Sequence, residues 1–192
     1  MILCFCGASL AGIALKLGLS WAPAITVEDT ANDLPMVIES GTLYDELSPE
    51  LSFLWNIGVF SIGLRVSYLW AQDIFGQNQP TVMTAWLFGG EAIYNYEMTE
   101  DGRWLFPMII SGGYGNAKIS FQPEPNRYDI VGHAWELVFT FGVERVWKDR
   151  YSFGFMLGRQ FSRAYFEDDF LGIEPKVNGD GWKFAFIGRW RI

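Results

Sequence analysis

Large apolar side chains recur at every second position along much of this chain. The clearest run is Trp135 to Trp147. Trp135, Leu137, Phe139, Phe141 and Val143 share one parity, and Ala134, Glu136, Val138, Thr140, Gly142 and Glu144 share the other. A period of two puts alternate side chains on opposite faces and predicts a β-strand. After the polar turn Lys148-Asp149-Arg150 the pattern restarts, with Tyr151, Phe153, Phe155 and Leu157 against Ser152, Gly154, Met156 and Gly158. Two such runs joined by a short polar turn predict a hairpin. The last strand sets Trp182, Phe184, Phe186, Gly188 and Trp190 against Lys183, Ala185, Ile187, Arg189 and Arg191.

Earlier segments follow the same template. Phe60, Ile62, Leu64, Val66, Tyr68 and Trp70 oppose Ser61, Gly63, Arg65 and Ser67. Trp86, Phe88, Ala92, Tyr94 and Tyr96 oppose Ala85, Gly89, Glu91, Asn95 and Glu97, and a turn at Thr99 to Gly102 leads to Trp104, Phe106, Met108 and Ile110. Pro107 interrupts that run, because proline cannot donate to a ladder. A shorter strand is expected over roughly Glu46 to Asn56, ending near Gly58. At the N-terminus, Ile13, Leu15, Leu17, Leu19 and Trp21 alternate with Gly12, Ala14, Lys16, Gly18 and Ser20, a good first strand. Residues 1–24 also admit a second reading, a secretion signal ending in Ala22-Pro23-Ala24. A signal would need a basic start and would not carry Lys16 in its apolar stretch, so the strand is preferred. About eight strands result, in one domain over residues 1–192.

Composition turns this strand pattern into a membrane pattern. Hydrophobic residues make up 50% of the 192, aromatics 17% and charged residues only 19%, against about a quarter charged in ordinary soluble domains. No window supplies the roughly 20 apolar residues of a spanning helix. Alternation reconciles the two facts, since a transmembrane barrel dilutes its apolar residues with small or polar ones. The face opposite the aromatics is mostly Gly, Ala and Ser, which suits a narrow lumen. The expected fold is therefore all-β, an antiparallel up-and-down transmembrane β-barrel.

Aromatic placement gives the barrel two interfaces. Tyr96, Trp104, Trp147, Tyr151 and Trp190 fall at the turn ends of strands, and Trp21, Trp70, Trp86, Trp135 and Trp182 at the opposite ends. Bilayer interfaces favour such girdles. Inward parity assigns Lys16, Arg65, Lys183, Arg189 and Arg191 to the interior, with Glu91, Glu97, Glu136 and Glu144. These nearly cancel, as buried charges must, and imply a plugged lumen. Arg159 falls on the lipid parity; either it snorkels to the interface or a bulge near Gly158 turns it inward. The net charge of −8 is then expected in the connections, including Glu28, Asp29, Asp33, Glu39, Asp45, Glu46 and Glu50 before the third strand and Glu167 to Asp169 near the end. It argues against nucleic acid as a partner. Long connections are expected at residues 23–44, 71–80, 122–128 and 167–180, alternating with short turns.

With alternating strands, a long-short loop rhythm and a C-terminal strand ending Trp190-Arg191-Ile192, the chain resembles the small eight-stranded bacterial outer-membrane barrels, such as the membrane domain of outer-membrane protein A and its relatives. The terminal Ile departs from their usual aromatic end. The resemblance implies location in the outer membrane of a Gram-negative cell, insertion by the barrel-assembly machinery, contact with outer-membrane lipid and lipopolysaccharide, and a monomer.

Catalytic chemistry is sparse. His133 is the single histidine, and Trp135 stands where the serine of a lipid hydrolase's His-x-Ser pair would fall; Ser120 or Ser162 are the other candidates. Gly112-Gly113-Tyr114-Gly115 lacks the lysine of a phosphate loop. Cys4 and Cys6 are too close for an ordinary disulfide and lack the companions of a zinc site. The acidic clusters lack calcium-loop spacing. No cofactor, metal or catalytic residue is expected. The reading is a structural or surface-interaction barrel; the rivals are an acyl hydrolase of lipid A or phospholipid using His133, and a soluble lipocalin-like carrier.

Overall fold

The alternating runs become ten strands: β1 (Gly12–Ala22), β2 (Ile25–Glu28), β3 (Thr42–Ile57), β4 (Phe60–Gln72), β5 (Thr81–Glu97), β6 (Trp104–Phe121), β7 (Tyr128–Trp147), β8 (Tyr151–Phe166), β9 (Lys176–Asn178) and β10 (Gly181–Arg191). The computed structural model describes residues 12–22, 25–28, 42–72, 81–121, 128–167 and 176–192. Every pairing is antiparallel, and β1 pairs with β10 on one side and β3 on the other, which closes the sheet. Closure removes the exposed edges that an open sheet leaves.

β2 and β9 prolong the first and last strands. They pair with each other, and with β3 and β8 respectively. The barrel thus has eight staves, two of them broken. Both short strands fall within segments expected to be connections, 23–44 and 167–180, and β3 begins at Thr42 rather than near Glu46. Four and three residues are too short for alternation to register, and Pro23 and the Gly179-Asp180 step separate them from β1 and β10.

Local chemistry sets the turns. Gly58 takes a φ of +62° in the two-residue connection between Ile57 and Phe60, where only glycine enters that region without strain. In the β5–β6 turn the Thr99 hydroxyl donates to Asp101 Oδ1 at 2.6 Å, while the Arg103 amide donates to the same oxygen at 3.1 Å. Those two bonds, the hydroxyl's first, hold the Asp101 carboxyl below its ordinary range. Pro107 stays within β6. Its pairing with β5 is continuous through Asn95, whereas pairing with β7 passes from Leu105–Glu144 to Met108–Phe141 and skips the proline.

The two faces are as unlike as alternation predicts. Outward residues are large, apolar and exposed: Leu17 64%, Leu64 64%, Phe88 61% and Phe155 73%. Such a continuous belt in water would be an aggregation surface; against hydrocarbon it is matched. A soluble carrier would hold its aromatics inside, so this arrangement opposes the lipocalin-like alternative. Inside, the barrel is layered. Leu69, Leu87, Ile119, Ile130 and Phe166 belong to an apolar cluster toward the loops, and Leu54, Ile93, Ile109, Met156 and Ile187 to another toward the turns. Between them lies a band of buried charge.

Candidate functional site

The buried charges come from six staves. On β1, Lys16 Nζ pairs with Glu50 of β3 at 3.0 Å and with Glu91 of β5. Arg65 of β4 contacts Glu50 through Nη2 at 2.7 Å and Nε at 2.9 Å, and reaches Glu136 of β7 through Nη1. Glu136 also accepts from Ser67 Oγ at 3.0 Å and lies 3.5 Å from Lys183 Nζ of β10. Lys183 is 3.9 Å from Glu46, whose other oxygen accepts from Gln160 Nε2 at 2.7 Å. The sequence Glu91–Lys16–Glu50–Arg65–Glu136–Lys183–Glu46 therefore crosses the lumen without a gap. Nearer the turns, Arg189 Nε donates to Glu144 Oε1 at 2.8 Å and Nη2 to Asn95 at 2.8 Å. The void beside Lys16, Lys183 and Thr140 measures about 10 Å³, room for about one water.

Seven of the nine residues expected inside are there: Lys16, Arg65, Glu91, Glu136, Glu144, Lys183 and Arg189 are all buried. Glu97 and Arg191 lie at the turn-side mouth of the lumen, where Arg191 still feels the charges of Arg189 and Glu144. They share the inward parity, but each is the last residue of its strand, where the barrel opens to solvent, and Glu97 is exposed and Arg191 half-exposed. Conversely, Glu46 and Glu50 are not loop charges. Leu47, Leu51, Phe53 and Trp55 face outward on β3, so Glu46, Ser48, Glu50 and Ser52 must face inward, and the Glu46 and Glu50 side chains are 1% and 8% exposed. Among the described residues the lumen thus holds five carboxylates and four cations. Glu46 Oε1 and Glu91 Oε1 have no hydrogen-bond partner.

The aromatic residues expected at the interfaces all lie on the outer face, from Trp135 at 36% to Trp147 at 63% exposure, with Trp70 half-buried. Tyr68 and Trp86 pack at 4.8 Å between ring centroids near the loop end, and Tyr151 and Trp190 stack at 6.4 Å near the turn end. Ten residues separate Trp86 from Tyr96 on β5. At ~3.4 Å per residue and a tilt of ~40° they span ~26 Å, the height of a barrel's apolar band.

His133 faces outward, between the Tyr114 and Tyr165 rings at 5.9 and 5.4 Å. Ser162 is buried on the inner face, across the wall from His133, whereas Ser120 shares the outward parity of His133 but pairs with Asp129, four residues along β7 from it, so neither serine lies beside the imidazole. Arg159 also faces outward. Pairing runs unbroken through Gly158 on both sides, so no bulge turns it in, and its guanidinium lies over Trp182 at 5.6 Å and Phe161 at 6.0 Å. At the loop end Arg163 forks onto Asp180, with Nη2 to Oδ2 at 2.9 Å, and this bond is the main cause holding the Asp180 carboxyl below its ordinary range. Gly112, Gly113 and Gly115 lie within β6. Cys4, Cys6 and most of the acidic connections lie outside the described residues.

No protein-family model and no curated protein matches the chain. Among solved structures it is similar to the neisserial surface protein A, with 10% identity over 95% of this chain and 98% of that one and a TM-score of 0.50. It is also similar to Ail, the attachment invasion locus protein of Yersinia pestis, at 10% identity over 95% and 100% with a TM-score of 0.46. The N-terminal β-barrel domain of Pseudomonas aeruginosa OprF matches at 10% over 93% and 97% with a TM-score of 0.43. At such identities the likeness is one of fold. The chain has the closed, eight-stranded, antiparallel up-and-down fold of the small bacterial outer-membrane barrels.

Proposed function

We propose that this chain is a structural, surface-displaying barrel of the Gram-negative outer membrane, closed to solutes and without catalysis. The observation that carries the reading is the salt-bridge chain across the lumen. It joins six staves between two apolar layers and leaves about one water's volume beside it. A solute path would have to break several buried ion pairs at once, each strongly unfavourable to open.

The distribution of charge supports display on the loop side. Of 22 Asp and Glu, five line the lumen and four (Glu97, Glu100, Asp101, Asp149) lie at the turn end, leaving thirteen. Of 14 Lys and Arg, four line the lumen and five (Arg103, Arg145, Lys148, Arg150, Arg191) lie at the turn end, leaving five. Thirteen against five makes the loop-side half and its connections the seat of the whole −8. On this reading the partners are outer-membrane lipid, lipopolysaccharide and the barrel-assembly machinery, and the protein is a monomer in the membrane.

Planar-bilayer recording tests the closed lumen. Incorporated wild-type protein gives no steady conductance steps, and the Arg65→Ala/Glu136→Ala double variant gives small ones. Steady ohmic conductance from the wild type would overturn the plug.

A further inference from the structure

Arg159 is out of place in an apolar wall. It faces outward on β8, between Phe139 of β7 and Trp182 of β10, and makes no salt bridge among the described residues. Its contacts are the faces of Trp182 and Phe161. Trp182 belongs to the loop-side girdle, so the guanidinium sits where hydrocarbon gives way to headgroups. Its neighbour on the same face toward the loops is Arg163, already neutralised by Asp180.

Directly toward the turns lies an open apolar groove of about 560 Å³. Its lining includes the outward rows Phe141–Leu157–Phe184 and Val143–Phe155–Phe186, each held in cross-strand register, and extends to β1 and β3 on one side and to β6 on the other. Arg159 and Trp182 form the next row above the first of these. A cation with unspent donors at the headgroup level, and an acyl-sized groove beginning one row below it, match the two halves of a single amphiphile.

We propose that the β7–β8–β10 face binds one phosphate-bearing lipid of the loop-side leaflet, its phosphate on the Arg159 guanidinium and an acyl chain in the groove. The guanidinium fork matches a phosphate bidentately, and the bond is charge-assisted. A lipid also supplies a direct counter-charge, since the Asp180 carboxylate acts on Arg159 only through space and is itself forked by Arg163, at the edge of the membrane where an unpaired cation is unfavourable. The site rests on the membrane reading above and deepens it by naming the lipid chemistry.

The test is native mass spectrometry of the full, folded chain in neutral detergent, with dioleoyl phosphatidic acid, dioleoylglycerol or inorganic phosphate as the probe. One phosphatidic acid is retained, about tenfold more than dioleoylglycerol, as a charge-assisted phosphate contact requires. Arg159→Gln removes most of that preference, Arg159→Lys keeps part of it, and Arg145→Gln at the turn end leaves it unchanged. Equal retention by Arg159→Gln and wild type would overturn the site. So would equal retention of dioleoylglycerol, or displacement of the lipid by inorganic phosphate alone. Failure of the membrane reading is separate, since it shows as a chain soluble without detergent before any lipid is added.

Discussion

Five carboxylates share the lumen with four cations, and this imbalance gives opposite expectations for two superficially alike substitutions. Glu136 accepts from Arg65, from Ser67 at 3.0 Å and lies 3.5 Å from Lys183. Glu136→Gln leaves Arg65 with Glu50 alone and Lys183 with only Glu46, at 3.9 Å. Removing one partner from a buried ion pair costs about 3–5 kcal/mol. Here both stranded cations keep a second carboxylate, so we expect the low end, about 3 kcal/mol. Glu46 is the reverse case. Its one salt-bridge partner is that distant Lys183, and the Oε1 facing it accepts no hydrogen bond. Glu46→Gln keeps an acceptor for Gln160, leaves Lys183 its nearer carboxylate Glu136 at 3.5 Å, and brings the lumen to four against four. It should change stability by less than about 1 kcal/mol, in the stabilising direction. Urea titration of folding into lipid vesicles, followed by tryptophan emission and by gel mobility, measures both. A Glu46→Gln variant as damaged as Glu136→Gln would refute the charge count and the pairing from which it comes.

Three further outcomes follow from local geometry. A Cβ on Gly89 would stand 1.8 Å from the Gly112 carbonyl oxygen; since the obstacle is backbone, Gly89→Ala should lose at least about 3 kcal/mol in the same titration, and a neutral result would contradict the close approach of β5 and β6. Lys148 holds a φ of +52°, a region that disfavours side chains by roughly 1–2 kcal/mol, so Lys148→Gly should raise stability by about 1 kcal/mol rather than lower it. The Asp180 carboxyl is depressed by Arg163, so its contribution is present at neutral pH and is lost only as pH falls through that lowered value. The normalised exchange protection of the Gly179 amide, bonded to Ser162 O at 3.0 Å, should hold flat down to the ordinary aspartate value of ~3.9 and decline below it. Asp180→Asn should show no such decline, and a loss beginning near neutrality would count against the pair.

Where strands were long, parity alone gave their faces. β7 and β8 carry five or more outward aromatic or aliphatic residues in strict alternation, so Glu136, Glu144 and Gly158 could be placed inside from the sequence. β3 was harder. Its outward residues alternate as clearly, but Pro49 and a run of acidic residues before it resemble a loop, and Glu46 and Glu50 were counted with that run. Three or four residues of pairing, as in β2 and β9, carry no periodic signal. The partners of each charge were illegible for a different reason: Lys16 meets Glu91, 75 positions away, and only the registers of all intervening strands bring them together. The same holds for Arg159, whose parity was evident but whose groove is lined from six strands.

The most direct test of the central claim is the gel mobility of the purified full chain in mild detergent, boiled and unboiled, with circular dichroism alongside. A closed barrel with a lipid-facing exterior requires detergent to remain in solution, gives a β-rich spectrum, and migrates differently before and after boiling. A chain that stays monodisperse without detergent and migrates identically in both lanes would contradict the account.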